Sequence, residues 1–154
     1  MEFTLLEQSL VLSIHKSIFW KERECLIVSD LHLGKAGHFR KAGIPISSKV
    51  HVEDLVKLDL LLNTYQPKRL IMLGDLFHSD KNNEWEAFTI WRNQYEGLEV
   101  TLTMGNHDII ATSNYRKINV DAVDELTLGP FFMSHHPTEN SFGYNLAGHL
   151  HPGI

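Results

Sequence analysis

The chain has 154 residues, of which 43% are hydrophobic and 21% charged, a composition typical of one globular domain with a substantial core. Its formal net charge of −5 argues against a general nucleic-acid binder, which is usually basic, and leaves room only for a local basic patch. A single cysteine, Cys25, excludes an internal disulfide framework and suits a reducing compartment. The first residues lack a secretory signal and no apolar run reaches the length of a membrane span, so we expect a single cytoplasmic domain over 1–154 with no membrane partner.

The first two thirds of the sequence predict an antiparallel start followed by alternating strands and helices. Short meander strands are expected at 2–7, 9–14 and 18–20. Continuous apolar runs, typical of strands that are covered on both faces, are found at 25–29, 69–73 and 98–103. Helical spacing predicts helices at 48–64, with Ser47 as N-cap, and at 84–96, after a long loop at 31–46. Strand–helix alternation implies parallel strands joined by right-handed crossovers.

The pattern changes after Asp108, where short strand-like segments alternate with Gly and Pro. These segments are found at 118–120, 123–128, 131–134 and 142–147. They predict a second sheet of more antiparallel character. The expected fold is therefore α/β (α+β), with two sheets packed face to face and helices on the outside.

Polar side chains cluster where five of the predicted strands end. The clusters are Asp30 with His32, Asp75, Asn106 with His107 and Asp108, His135, and His149 with His151. Each cluster alone is a common turn sequence, since Asn, Asp and Gly favour turns. Ligands of open α/β sheets bind outside the carboxyl ends of the strands, so these side chains are able to converge on one site.

The converging side chains form a donor set for metal ions. They offer imidazole nitrogen and hard oxygen atoms but no thiolate, which suits Mn²⁺, Fe or Zn²⁺ and fits poorly with Ca²⁺ or a Cys-type structural zinc. The number of donors exceeds what one ion takes. We therefore expect two divalent ions, with Mn²⁺ as the first choice.

In their order and types, these motifs resemble the calcineurin-like metallophosphoesterase superfamily. The segment 29–45, which begins Ser29-Asp30-Leu31-His32, is similar to the DNA-ligase-associated metallophosphoesterases, which are DNA damage response endonucleases of the PdeM type. The resemblance implies a four-layer, two-sheet sandwich with flanking helices. Because family members usually continue with further strands, the C-terminal strands are expected to be missing here, so that the chain is either a fragment or a homodimer that covers the exposed sheet edge.

The resemblance also implies roles for individual residues. The ligands of the first ion would be Asp30, His32, Asp75 and His151. Asp75 would bridge to a second ion, whose other ligands would be Asn106, His135 and His149. Such ion pairs activate a water molecule and clamp the attacking and leaving oxygens of an in-line displacement. His107 would be catalytic, stabilising the phosphoryl group or protonating the leaving oxygen, while Asp108 would either orient that ring or cap the following turn.

Residues around these motifs allow more than one interpretation. The local basic run Lys35, His38, Arg40 and Lys41 would bind a nucleic-acid backbone or substrate phosphate, or would be an ordinary solvated loop. His136 and His78 flank ligands and would support them from outside the first shell of donors. His15 and His51 have no such context and are expected at the surface.

Three functions follow from this interpretation. The first is a two-metal phosphodiesterase acting on nucleic acid, similar to a DNA repair nuclease and associated with a DNA ligase or helicase system. The second is the same chemistry on small nucleotides or phosphate esters. The third is a non-catalytic metal-binding module, which would need a missing ligand, whereas every ligand type is present in the sequence.

Overall fold

A computed structural model of the chain describes residues 1–33, 50–77, 82–139 and 143–150, with the backbone only at 50–53 and 82–83. Seven strands form a large sheet: β1 (Glu2–Leu5), β2 (Gln8–Ser13), β3 (Ser17–Trp20), β4 (Cys25–Ser29), β5 (Arg69–Leu73), β6 (Glu99–Thr103) and β7 (Val120–Val123). Three form a small sheet: β8 (Glu125–Leu128), β9 (Phe131–Ser134) and β10 (Tyr144–Ala147). The helices are α1 (Val50–Tyr65), α2 (Asn82–Arg92) and α3 (Thr112–Lys117), and 3₁₀ turns cover Lys21–Arg23 and Asn93–Tyr95.

The large sheet changes from antiparallel to parallel at β4. Its strands follow the chain order from β1 to β7, with antiparallel pairs up to β4 and parallel pairs from β4 to β7. The predicted meander and the three buried parallel strands are therefore confirmed. Because Ser29, Leu73 and Thr103 are aligned across β4, β5 and β6, the carboxyl ends of these strands open onto the same edge.

The second half of the chain differs from the prediction in two ways. The region predicted as the strand 118–120 contributes to β7, which pairs with β6 in the large sheet instead of starting the second sheet. The helix α3, six residues long and too short to show a helical period in the sequence, makes the connection. In the small sheet β8 and β9 are antiparallel, but β10 pairs parallel to β9, so the sheet is mixed.

Two cores cover the two faces of the large sheet. On one face, apolar side chains of β4, β5 and β6 pack against all three helices, and Tyr115 of α3 belongs to this core. On the other face, the sheet packs against β9, where Trp20 and Phe131 meet edge to face with ring centroids 4.8 Å apart. Cys25 is fully buried in this second core, as expected.

The two-sheet sandwich with flanking helices is thus confirmed. The described residues build three of the four predicted layers, namely the helices, the large sheet and the small sheet. Within these same ranges no helix lies on the outer face of the small sheet. None of the helices that the structure describes is long and apolar enough to cross a membrane. The predicted N-cap Ser47 and most of the predicted loop at 31–46 lie outside the described residues.

Candidate metal centre

The segments that follow β4 and β5 stay paired beyond the ends of their strands. The Asp30 amide donates to the Gly74 carbonyl at 3.2 Å, and the His32 amide donates to the Asp75 carbonyl at 2.9 Å. A further parallel bridge joins Leu33 to Phe77. The backbone that carries Asp30, His32 and Asp75 is therefore an extension of the central sheet, which makes it a rigid support for ligands.

The first group of metal donors consists of Asp30, His32 and Asp75. One donor atom from each lies within 4.8 Å of the others, and His32 Nε2 is 3.9 Å from Asp75 Oδ2. The side chains of Asp30 and Asp75 are only 7% and 5% exposed. Two carboxylates this close together and this far from water repel each other unless a cation compensates them, so the group fits a divalent ion.

The second group consists of the imidazoles of His135, His136 and His149, whose donor atoms also lie within 4.8 Å of one another. His135 Nε2 and His149 Nδ1 are 3.2 Å apart. His135 Nδ1 lies 3.2 Å from the Leu73 carbonyl oxygen, which accepts hydrogen bonds only. This contact favours the tautomer with the proton on Nδ1, which leaves the Nε2 lone pair for a metal ion.

The Asp75 carboxylate lies between the two groups. Its Oδ2 is 3.9 Å from His32 Nε2, and its Oδ1 is 3.5 Å from His135 Nε2. Each oxygen thus faces a different group. The carboxylate is therefore placed within reach of both groups of donors.

Two glycines allow the ligand-bearing segments to come this close. A Cβ on Gly74 would overlap the ring of His135, and Gly74 has a φ of +73°. A Cβ on Gly148 would overlap the Leu73 carbonyl oxygen and would lie 2.8 Å from Asp30 Oδ2. The close approach lets the His149 amide donate to both oxygens of Asp30, at 3.0 and 3.1 Å.

Four of the predicted ligands have left-handed backbone conformations. The φ angles are +49° at Asp30, +47° at His32, +48° at Asp75 and +65° at His149. For residues with a Cβ, this region costs about 1–2 kcal/mol per residue. Strain of this kind concentrates at functional sites, where the surrounding structure holds it in place.

The segment after β6 brings Asn106, His107 and Asp108 to the same edge. The His107 amide donates to Asp75 Oδ1 at 3.1 Å. The side chains of Asn106 and His107 are exposed, and the rings of His107 and His32 meet edge to face with centroids 5.7 Å apart. An exposed imidazole beside the donor group is able to reach a substrate.

The contacts of Asp108 differ from both predictions made for it. Oδ1 accepts the amides of Leu76 and Phe77 at 2.9 and 3.4 Å, and Oδ2 accepts the Gly105 amide at 2.9 Å. Burial raises the pKa of this carboxyl, while the three amides act in the opposite direction. Asp108 therefore closes the turn that precedes it and joins this turn to the segment after β5. It is a positioning residue, since its carboxylate is engaged by backbone amides.

Some predicted site residues cannot be placed. His151, Lys35, His38, Arg40, Lys41 and His78 lie outside the described residues. His136 was predicted only to support the ligands, whereas the structure brings its imidazole into the second group. The signal for it was the pair of adjacent histidines directly after β9, where the alternation of side chains in a strand no longer applies.

Comparisons with known proteins agree with this geometry. The profile of the calcineurin-like phosphoesterase family matches residues 25–150. The chain belongs to this family. Among solved structures it is similar to that of the Pseudomonas putida nuclease MPE, with a TM-score of 0.84 and 32% identity over 99% of this chain and 74% of that chain. No curated protein sequence gives a significant match.

Family membership and the donor groups together define the class of protein. The chain is a metal-dependent hydrolase that acts on phosphoester bonds. The family implies divalent metal ions, and the two groups of carboxylates and imidazoles are chemically suited to hold them.

Proposed function

We propose that the protein hydrolyses phosphodiester bonds in nucleic acid and uses two divalent ions. Asp30, His32 and Asp75 would hold the first ion, joined by His151 as the family resemblance implies. Asp75 would share the second ion with Asn106, His135 and His149. The observation that carries this proposal is the position of the Asp75 carboxylate, whose two oxygens face different donor groups at 3.9 and 3.5 Å.

The ions, when bound, supply Lewis-acid stabilisation of the phosphoryl charge and an activated water. The chain's own residues hold and orient the groups that act on the substrate. Asp108 fixes the turn that carries His107, and the His107 amide is bound to Asp75. The exposed His107 ring would then donate a proton to the leaving oxygen or stabilise the phosphoryl group.

Two observations support nucleic acid as the substrate. The protein of known structure to which the chain is 32% identical is the Pseudomonas putida nuclease MPE. A cavity of about 260 Å³ opens beside Asp30, and Lys16 and Lys57 are among the residues that line it. These cationic side chains, of which Lys57 is paired with Asp54 at 3.2 Å, would bind a phosphate of the nucleic-acid backbone that enters the cavity.

The metal is proposed to be Mn²⁺, with Fe or Zn²⁺ as the alternatives that the same donors would accept. The predicted cytoplasmic location, the homodimer, and the links to DNA repair and to a DNA ligase or helicase system stay predictions.

The test compares three substrates with added Mn²⁺: bis(p-nitrophenyl) phosphate, p-nitrophenyl phosphate and single-stranded DNA. We expect hydrolysis of the diester and of DNA, and loss of both activities with EDTA. Activity on the monoester alone would contradict the nuclease proposal and favour a small phosphate ester as the substrate.

A double variant, Lys16→Ala with Lys57→Ala, tests whether the cavity binds the phosphates of DNA. Each lost phosphate contact should reduce the slope of log affinity for DNA against log salt by about one, with little effect on the small diester. Lys68→Ala is the matched control, because Lys68 pairs with Glu24 directly before β5, at the opposite end of that strand from the metal centre. An unchanged salt dependence in the double variant would exclude this cavity as the DNA site.

A further inference from the structure

We infer that His136 is an additional imidazole ligand of the second metal site, beside His135 and His149. This inference rests on the proposed two-metal function. The family resemblance places a ligand at His135 but none at the next residue. A third imidazole would make this site richer in nitrogen than the family pattern implies.

The ring of His136 lies against both of the other imidazoles. Its centroid is 4.3 Å from that of His149 and 4.7 Å from that of His135. One donor nitrogen from each ring falls within the same 4.8 Å group. His136 is exposed while His135 is buried, so His136 closes the group on its solvent side.

The backbone of His136 is held in place although its side chain is exposed. The Ser134 hydroxyl donates to the His136 carbonyl at 2.7 Å, and Asn145 of β10 donates to Ser134 Oγ at 3.0 Å. The Thr138 amide donates to Asn145 Oδ1 at 3.0 Å. The following residue, Pro137, further restricts His136 to extended conformations. A ring carried on a segment fixed at both ends loses little entropy when it binds an ion, which favours a ligand over a loose surface histidine.

With His136 as a ligand, the two sites would differ in their donor atoms and therefore in the metal ions that they prefer. The first group has two carboxylates and one imidazole among the described residues, a set with a large share of hard oxygen that suits Mn²⁺. The second site would have three imidazoles together with the shared carboxylate and the amide oxygen of Asn106, a set richer in nitrogen that suits Zn²⁺ or Co²⁺ better. We therefore expect the second site to retain these ions at lower concentrations than the first.

The test titrates metal-free protein with Co²⁺ and follows both the visible absorption of the bound ion and the heat of binding. In wild type we expect two ions bound with different affinities. His136→Ala should weaken one site by more than the roughly 10- to 100-fold that follows loss of a residue supporting a ligand, and should change the absorption spectrum of that site, while the other site keeps its affinity. His136→Gln should behave similarly, because an amide is a weak replacement for imidazole.

Glu139→Gln is the matched control, since Glu139 is an exposed potential donor on the same segment and should leave both affinities unchanged. Two Co²⁺ ions bound with unchanged affinities and spectra in both His136 variants would overturn the inference and leave the proposed function intact. A wild-type protein that binds no ion would overturn the proposed function itself. Far-UV circular dichroism of each variant establishes that it is folded before titration.

Discussion

His32 shows that single residues of this site adopt strained backbone conformations. It holds a donor nitrogen 3.9 Å from Asp75 and does so with a φ of +47°. Asp30, Asp75 and His149 share this conformation. A metal ion bound by these four side chains would compensate the strain of their backbone conformations. The free energy of metal binding would then be part of the stability of the site.

The strain at His32 predicts an unusual order of stability for two variants. His32→Gly and His32→Ala both remove the imidazole, but only glycine adopts a positive φ without steric cost. In metal-free protein, the glycine variant should be more stable than the alanine variant by about 1 kcal/mol, the reverse of the order usual within helices and strands. Urea unfolding of both measures this difference. An alanine variant of equal or greater stability would show that the left-handed conformation carries no strain.

A second prediction concerns His107. Because its ring is exposed and its backbone amide donates to Asp75 Oδ1, His107→Ala should retain both proposed ions and lose about 10²- to 10⁴-fold in turnover of the diester. Metal content by mass spectrometry and kcat are measured on the same samples. Asn106→Ala is the comparison and should lose metal from the second site. Loss of metal in His107→Ala would make His107 a ligand and not a proton donor.

At the scale of elements, the metal centre depends on three segments held as one unit. The segments after β4 and β5 are joined by backbone hydrogen bonds, and the segment after β6 is joined to them through two aspartates. Asp75 accepts the His107 amide, and Asp108 accepts amides from both sides of the junction. The aspartates thus fix the relative positions of ligands that are far apart in sequence.

Asp108→Asn tests this junction. An amide side chain has only one acceptor oxygen, so its NH₂ group would face at least one of the backbone amides that Asp108 now accepts. We expect the free energy of unfolding to fall by about 1–3 kcal/mol and metal affinity to weaken, because a buried donor is left without a partner. Urea unfolding and Co²⁺ titration provide the two measurements. Asp121→Asn, at an exposed position of β7, should change neither the free energy of unfolding nor the Co²⁺ affinity. If Asp108→Asn also changes neither quantity, Asp108 does not hold the segments after β5 and β6 together.

At the scale of the whole molecule, the large sheet separates two cores and presents the site at its edge. In β4, Leu26 and Val28 face the helices, while Cys25 and Ile27 face the small sheet. The small sheet in turn supplies His135 after β9 and His149 after β10. Binding of metal by these residues would therefore link the two sheets and should stabilise the entire fold.

This linkage predicts a thermal shift. Mn²⁺ at 100 times its dissociation constant should add about 2.7 kcal/mol to the free energy of unfolding and raise Tm by several degrees, since the unfolded chain has no formed site. Calorimetry with and without Mn²⁺ measures the shift, and EDTA should reverse it. Ca²⁺, which fits these donors poorly, is the control. Equal Tm values with Mn²⁺ and with EDTA would show that the donor groups do not form a site.

The sequence by itself determined the buried strands and the identity and order of the donors. Both are local properties, because a strand covered on two faces must be apolar throughout, as Cys25–Ser29 is, and because adjacent polar residues such as Asn106 and His107 at a strand end serve no core. The family resemblance followed from the same local motifs. Buried strands and donor motifs can therefore be predicted from residues that are neighbours in the sequence.

Only the tertiary structure decided which sheet each strand joins and where each side chain points. The pairing of β7 with β6, the parallel pairing of β10 with β9, the place of His136 and the contacts of Asp108 all depend on residues far apart in the chain. Asp75 shows the difference, because the family resemblance implied its bridging role, whereas its distances of 3.9 Å to His32 and 3.5 Å to His135 come only from the folded chain. Such contacts depend on how the whole chain packs, and no local pattern encodes them.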